Sequence, residues 1–236
     1  VPRLLQNYFG YQGGIKIQNV GSANTNVTIK YYFGGSQYTQ VISGLKPGAA
    51  YPIYMPDVAE VPDSVGGHPT GAGSAIITSS DGVPIVATVN EDNRVGASVP
   101  NGIAGHEGRG NTYNAFLGIP AKLTNTVFFS QVTARYYGYS GGIQVQNVGS
   151  SPAHITATFS ASGFADKTVT ATLQPNESTS WYAPNVVDRP DFNGSVVVTS
   201  DQPIAGIANN SHRSDTDTRY ATNYGDSYSC YNGINK

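Results

Sequence analysis

Gly138-Tyr139-Ser140-Gly141-Gly142 fits the pattern G-x-S-x-G, the turn that lifts a nucleophilic hydroxyl above a sheet in serine hydrolases. That turn must join a strand to a helix. Here Ser140 is followed by alternating apolar and polar residues, and a glycine-rich hairpin is the expected setting. The four histidines, His68, His106, His154 and His212, have no metal-ligand spacing between them. His154 shares its strand parity with Thr156 and Thr158, which predicts a solvated face. Asp215-Thr216-Asp217 with Asp226 resembles part of a calcium loop. Arg219 and Tyr220 stand where an oxygen ligand and a glycine belong, so an EF-hand is excluded. Irregular calcium binding is left open for that loop. No cofactor is expected.

Tyrosine offers a different chemistry. Tyr31, Tyr32, Phe33, Tyr38, Tyr51 and Tyr54 could form a stacking face for sugars, or could be half-buried strand residues. The second reading is favoured, because Phe159 and Ser160 thin the cluster at the corresponding place later in the chain. Four acceptor sequons begin at Asn26, Asn176, Asn193 and Asn209. They are glycosylation candidates in an exported protein.

The elements that would carry these residues are set by a duplication. Tyr11–Ser22 returns as Tyr139–Ser150, an offset of 128 positions that still holds from Leu45-Lys46-Pro47 to Leu173-Gln174-Pro175. Period-two alternation, as in Val27, Ile29 and Tyr31, is separated by turn signals such as Gly34-Gly35, Lys46-Pro47-Gly48 and Gln174-Pro175-Asn176. No sustained helical period occurs. The chain is expected to be all-β: two tandem immunoglobulin-like antiparallel β-sandwiches, residues 1–120 and 121–236. Between Tyr54 and Ser74 the first copy carries an insertion around Val65–Gly71, expected as a surface loop. Both copies then have a long polar segment, Glu91–Gly110 and Ser211–Asp226, at the same end of the module.

Composition narrows the partners. Of 236 residues, 12% are charged and the net charge is −2, against about 25% charged in ordinary soluble proteins. No basic field exists to hold nucleic acid. Every long apolar run is interrupted, so no membrane insertion is expected. The single cysteine, Cys230, permits no intrachain disulfide. The low charge and Ser/Thr/Asn-rich surface suit a secreted, cell-surface location, and Val1-Pro2 reads as the start of a mature, processed form.

The series Asn7-Tyr8, Gly14–Ser22, Leu45–Gly48, Gly73–Ser79 and Pro84–Asn90, with its partners in the second copy, resembles the immunoglobulin-like repeats of exported bacterial surface proteins. It is also similar in architecture to subunits of extracellular protein filaments. The resemblance implies a fold and a structural role, and carries no reaction. Val1–Phe9 aligns with Phe129–Tyr137, so the chain opens inside a module's first strand. The expectation is a secreted subunit that polymerises with other copies of itself, head to tail. Its N-terminal strand would be added to or packed on a neighbour. The contact candidates are Val1, Pro2, Leu4, Leu5, Tyr8, Phe9 and Ile234. Deleting Val1–Phe9 is expected to leave folded monomers. The alternative is a carbohydrate-binding or adhesive module that takes surface glycans on the long loops and the Tyr face. No enzymatic site is expected.

Overall fold

Strict alternation in Thr25–Phe33, where Val27, Ile29, Tyr31 and Phe33 are buried between more exposed neighbours, builds a strand with one face on a core. The same logic runs through the chain in a computed structural model, which describes residues 1–8, 10–65, 68–93, 110–115, 123–212 and 228–236. Two compact units divide between Leu117 and Gly118. Each is a sandwich of antiparallel sheets, so the chain is all-β with two domains.

The first module contains β1 (Leu4–Gln6), β2 (Tyr11–Asn19), β3 (Thr25–Phe33), β4 (Ser36–Leu45), β5 (Ala50–Tyr54), β6 (Ser64–Val65), β7 (His68–Pro69), β8 (Gly71–Ser79), β9 (Ile85–Asn93) and β10 (Gly110–Asn114). One sheet has the order β1-β8-β3-β4 and the other β10-β9-β2-β5. The second module contains β11 (Thr126–Ala134), β12 (Tyr139–Asn147), β13 (Ala153–Ser160), β14 (Lys167–Leu173), β15 (Ser178–Tyr182), α1 (Ala183–Val186), β16 (Phe192–Ser200), β17 (Ile204–His212), β18 (Tyr228–Asn232) and β19 (Ile234–Asn235). Its sheets run β14-β13-β16-β11-β19 and β15-β12-β17-β18. In both modules the first strand lies beside the long strand that follows the module's midpoint, β8 or β16, while the second strand enters the facing sheet.

The duplicated motif has a structural explanation. Asn19 and Asn147 are fully buried at the ends of β2 and β12. The Asn147 amide donates to Ser151 O at 2.8 Å and Leu173 O at 3.1 Å, and its Oδ1 accepts from Gly149 N at 2.9 Å. Asn19 repeats all three bonds with Ala23, Leu45 and Gly21. One side chain thereby satisfies three backbone groups and ties a loop to a neighbouring strand. The paired turns also match: Gly48 and Asn176 occupy one repeat position and both have positive φ, 73° and 70°.

The insertion in the first copy is more ordered than a plain loop. It forms the β6–β7 hairpin, with Ser64 opposite Pro69 and Val65 opposite His68. Among the described residues helix is confined to single turns. Ala183–Val186 is one α-helical turn with a proline in its first positions, and Met55–Asp57 is the corresponding 3-10 turn. A proline with φ preset near −65° starts such a turn without losing a hydrogen bond.

Candidate assembly edge and cleft

The leading strand packs in its own module instead of standing free. Val1, Leu4 and Leu5 are buried there; Pro2 is a buried residue too. β1 runs antiparallel to β8, with Leu4 opposite Gly73 and Leu5 opposite Ala72. The Val1 amino group donates to Ala75 O at 3.0 Å, and Ala75 N–H donates to Val1 O at 2.9 Å. Gly13 makes the room for this strand in its lane: a Cβ there would lie 2.8 Å from Leu5 O and 2.9 Å from Leu4 Cδ1. The Tyr113 hydroxyl donates to Arg3 O, and Arg3 Nε lies 2.9 Å from Oε1 of the buried Glu91. Burying Leu4 and Leu5 stabilises the module by about 1.5–3 kcal/mol each. Deleting Val1–Phe9 therefore removes core, contrary to the expectation that it would release intact monomers. Tyr8 is half-buried and forms a bridge with Tyr11, while Phe9 lies outside the described residues.

The second module shows how far this lane extends. There β11 is nine residues long and pairs with Val196–Thr199 through Thr126–Phe129. The lead-in continues the contact: Ser200 N donates to Asn125 O at 2.8 Å and Ile204 N to Thr124 O at 3.0 Å. β19 then covers the outer edge, pairing with Val127 and Phe128. In the first module the described partner strand reaches only Ala75. Among the described residues no strand lies beside Ile76, Ile77 and Thr78 on that side. The consequence is visible in burial. Val198 and Ile204 are fully buried, whereas their counterparts Ile77 and Ile85 are half-exposed. Val86 is 39% exposed where Ala205 is 1% exposed. At the other end of the chain Ile234, in β19, is 64% exposed.

The tyrosine cluster divides between two faces. Tyr31 and Phe33 lie in the core, and Tyr32 and Tyr38 are half-buried. Tyr51 is 42% exposed and, with Tyr54, Gln40, Asp57 and Asn90, lines a cavity of about 580 Å3 in the first module. The Tyr31 hydroxyl donates to Gln40 Oε1 at 2.7 Å beside it. Burial raises the Tyr31 pKa, with Glu60 and Tyr51 adding to the effect, so this hydroxyl stays protonated. Gln40, Asp57 and Asn90 were missed in the sequence. Aligning each with its duplicate would have exposed two of them, since Asp57 becomes Asn185 and Gln40 becomes Val169.

The remaining candidates find other settings. Ser140 is buried inside β12, where its Oγ accepts from Arg135 N at 3.1 Å, and a strand follows it. His154 is solvated as expected and lies 2.7 Å from Asp201, whose pKa it lowers by hydrogen bonding. His212 is buried, edge-on to Tyr139. Asn26 and Asn193 are exposed. Asn176 is half-buried in its turn, and Asn209 is held mid-sheet between Gly142 and Cys230. The loop with Asp215, Asp217 and Arg219, and most of Glu91–Gly110, lie outside the described residues. Among the described residues no group of three His, Cys, Asp or Glu side chains gathers for a metal, and no helix is long and apolar enough to cross a membrane.

No family model matches this chain, and no curated protein does. Solved structures with partial likeness include Thermotoga maritima 1070, at 12% identity over 48% of this chain and 95% of that one, with a TM-score of 0.38. The Anabaena sensory rhodopsin transducer aligns at 15% identity over 34% of this chain and 90% of its own, with a TM-score of 0.30.

Proposed function

We propose that the chain is an exported structural subunit that joins further copies of itself tail to head by strand pairing. The observation that carries this reading is the apolar strip of Ile76, Ile77 and Ile85, half-exposed with no strand beside Ile76–Thr78 among the described residues, where the duplicate buries Val198 and Ile204 under Thr124–Phe129. An open sheet edge offers unpaired N–H and C=O groups to another strand. The half-exposed Ile77 and Ile85 add apolar surface that an entering strand would cover. On the donor side stands the β19 edge with its exposed Ile234. The N-terminal strand then acts by packing end to end with the incoming strand while remaining in its own module. Head and tail are different surfaces, so the contact is heterologous and propagates into an open fibre unless its rotation closes.

Each backbone pair adds about 0.5–1.5 kcal/mol net, so three or four pairs need the apolar cover to give a lasting contact. The test is negative-stain microscopy and sedimentation of the purified chain across concentration. Ile76→Lys and Ile234→Lys serve as edge blockers, since lysine on an edge strand opposes pairing. Fibres from the unaltered chain and folded monomers from both variants are expected. A monodisperse monomer at every concentration would overturn the proposal, as would fibres that survive Ile76→Lys with an unchanged circular dichroism spectrum.

A further inference from the structure

We infer that the cleft beside β5 in the first module binds a neutral saccharide. Its volume, about 580 Å3, falls within the range of small-ligand sites. The Tyr51 ring, 42% exposed, stands beside the exposed Pro52 and half-buried Tyr54. A flat aromatic face of this kind stacks on the C–H face of a sugar ring. Around it, Asp57 and Asn90 are exposed, and Gln40 accepts the Tyr31 hydroxyl through Oε1, which leaves its –NH2 to donate elsewhere. This mix of acceptors and amide groups suits hydroxyls. Among the described residues no lysine or arginine lines the cleft, and that lining favours neutral hydroxyls over a phosphate or sulfate.

The duplication supplies an internal control. At the equivalent place the second module keeps the frame: Gly142 for Gly14, Tyr182 for Tyr54 and Asn209 for Asn90. Four positions change together around that frame. Tyr31, Gln40, Tyr51 and Asp57 correspond to Phe159, Val169, Thr179 and Asn185. The hydroxyl and the amide that pair across β3 and β4 are lost as a unit, along with the stacking ring and the carboxylate. Folding the sandwich requires none of the four, because the second module folds without them. Their joint presence marks a surface built for a ligand. This inference is independent of the assembly proposal, since the residues involved lie away from the β8 edge.

The experiment is an array of neutral mono- to trisaccharides probed with the full chain, followed by calorimetric titration of the strongest binders. Choline and lysine methyl ester are titrated alongside. Saturable binding of a sugar is expected, weakened about tenfold by Tyr51→Ala and clearly weakened by Gln40→Val, with Thr179→Ala unchanged. Tyr51 is exposed and Gln40→Val installs the residue of the second module, so both variants fold. A blank array, preference for the ammonium compounds, or sugar binding undiminished in Tyr51→Ala would each overturn the inference.

Discussion

Val1 and Ala75 exchange both of their backbone hydrogen bonds, at 3.0 and 2.9 Å, so the α-amine sits within a sheet. Burial lowers its pKa from 8.0 to about 5. The folded state therefore binds fewer protons than the unfolded state between those values, and stability rises with pH across that window. In the chain that starts at Val1, this term is complete above pH 8 and is lost as pH falls toward 5. A shift of this size corresponds to roughly 4 kcal/mol at most. Urea titrations of that chain at pH 5 and pH 8 measure it, and acetylating the amine abolishes the difference at this group.

Asn147→Ala is expected to destabilise the second module by about 2–4 kcal/mol, because it removes three hydrogen bonds, one of them the buried bond to the Leu173 carbonyl. Asn19→Ala should do the same in the first module. Chemical denaturation followed by fluorescence of Trp181, in the second module, separates the two effects.

The Tyr231 hydroxyl holds both backbone groups of Gln131, at 3.1 and 2.5 Å, where the register of β11 shifts. Tyr231→Phe should cost about 1 kcal/mol and accelerate amide exchange at Gln131. Tyr113→Phe loosens Arg3 in the same way, since the Tyr113 hydroxyl donates to its carbonyl.

Arg3→Ala removes the cation facing the buried Glu91 carboxylate. Breaking such a pair costs roughly 3–5 kcal/mol, more than replacing both partners by apolar residues. The double variant Arg3→Met with Glu91→Leu should be more stable than Arg3→Ala alone, as read by thermal unfolding.

The sheet architecture was legible because period-two alternation and the duplicated turns leave few other ways to bury the apolar residues. The Gly34-Gly35 turn lies between β3 and β4 as the glycines indicated. The favoured half-buried setting fits Tyr32 and Tyr38, while Tyr31 and Phe33 go deeper for a simple reason: they share the inward parity of Val27 and Ile29. The fate of the leading strand was harder to see. An apolar segment announces that it will be covered, but not by which edge. The useful signal was Gly13, whose missing side chain makes the room. The cleft was illegible for a third reason: its polar groups come from separate strands, and only the register brings Gln40 near Tyr31.

The β6–β7 hairpin is closed at its base, where Thr70 N–H donates to Asp63 O at 3.2 Å and Thr70 Oγ1 donates to Pro62 O at 2.5 Å. Among its described residues the second module has no equivalent, and its sandwich is complete without one. That makes the paired stem of the hairpin a natural mount for foreign cargo. An epitope or a fluorophore-accepting cysteine spliced between Val65 and His68 would ride on a self-contained stem, and so label each copy without touching the sheets beneath.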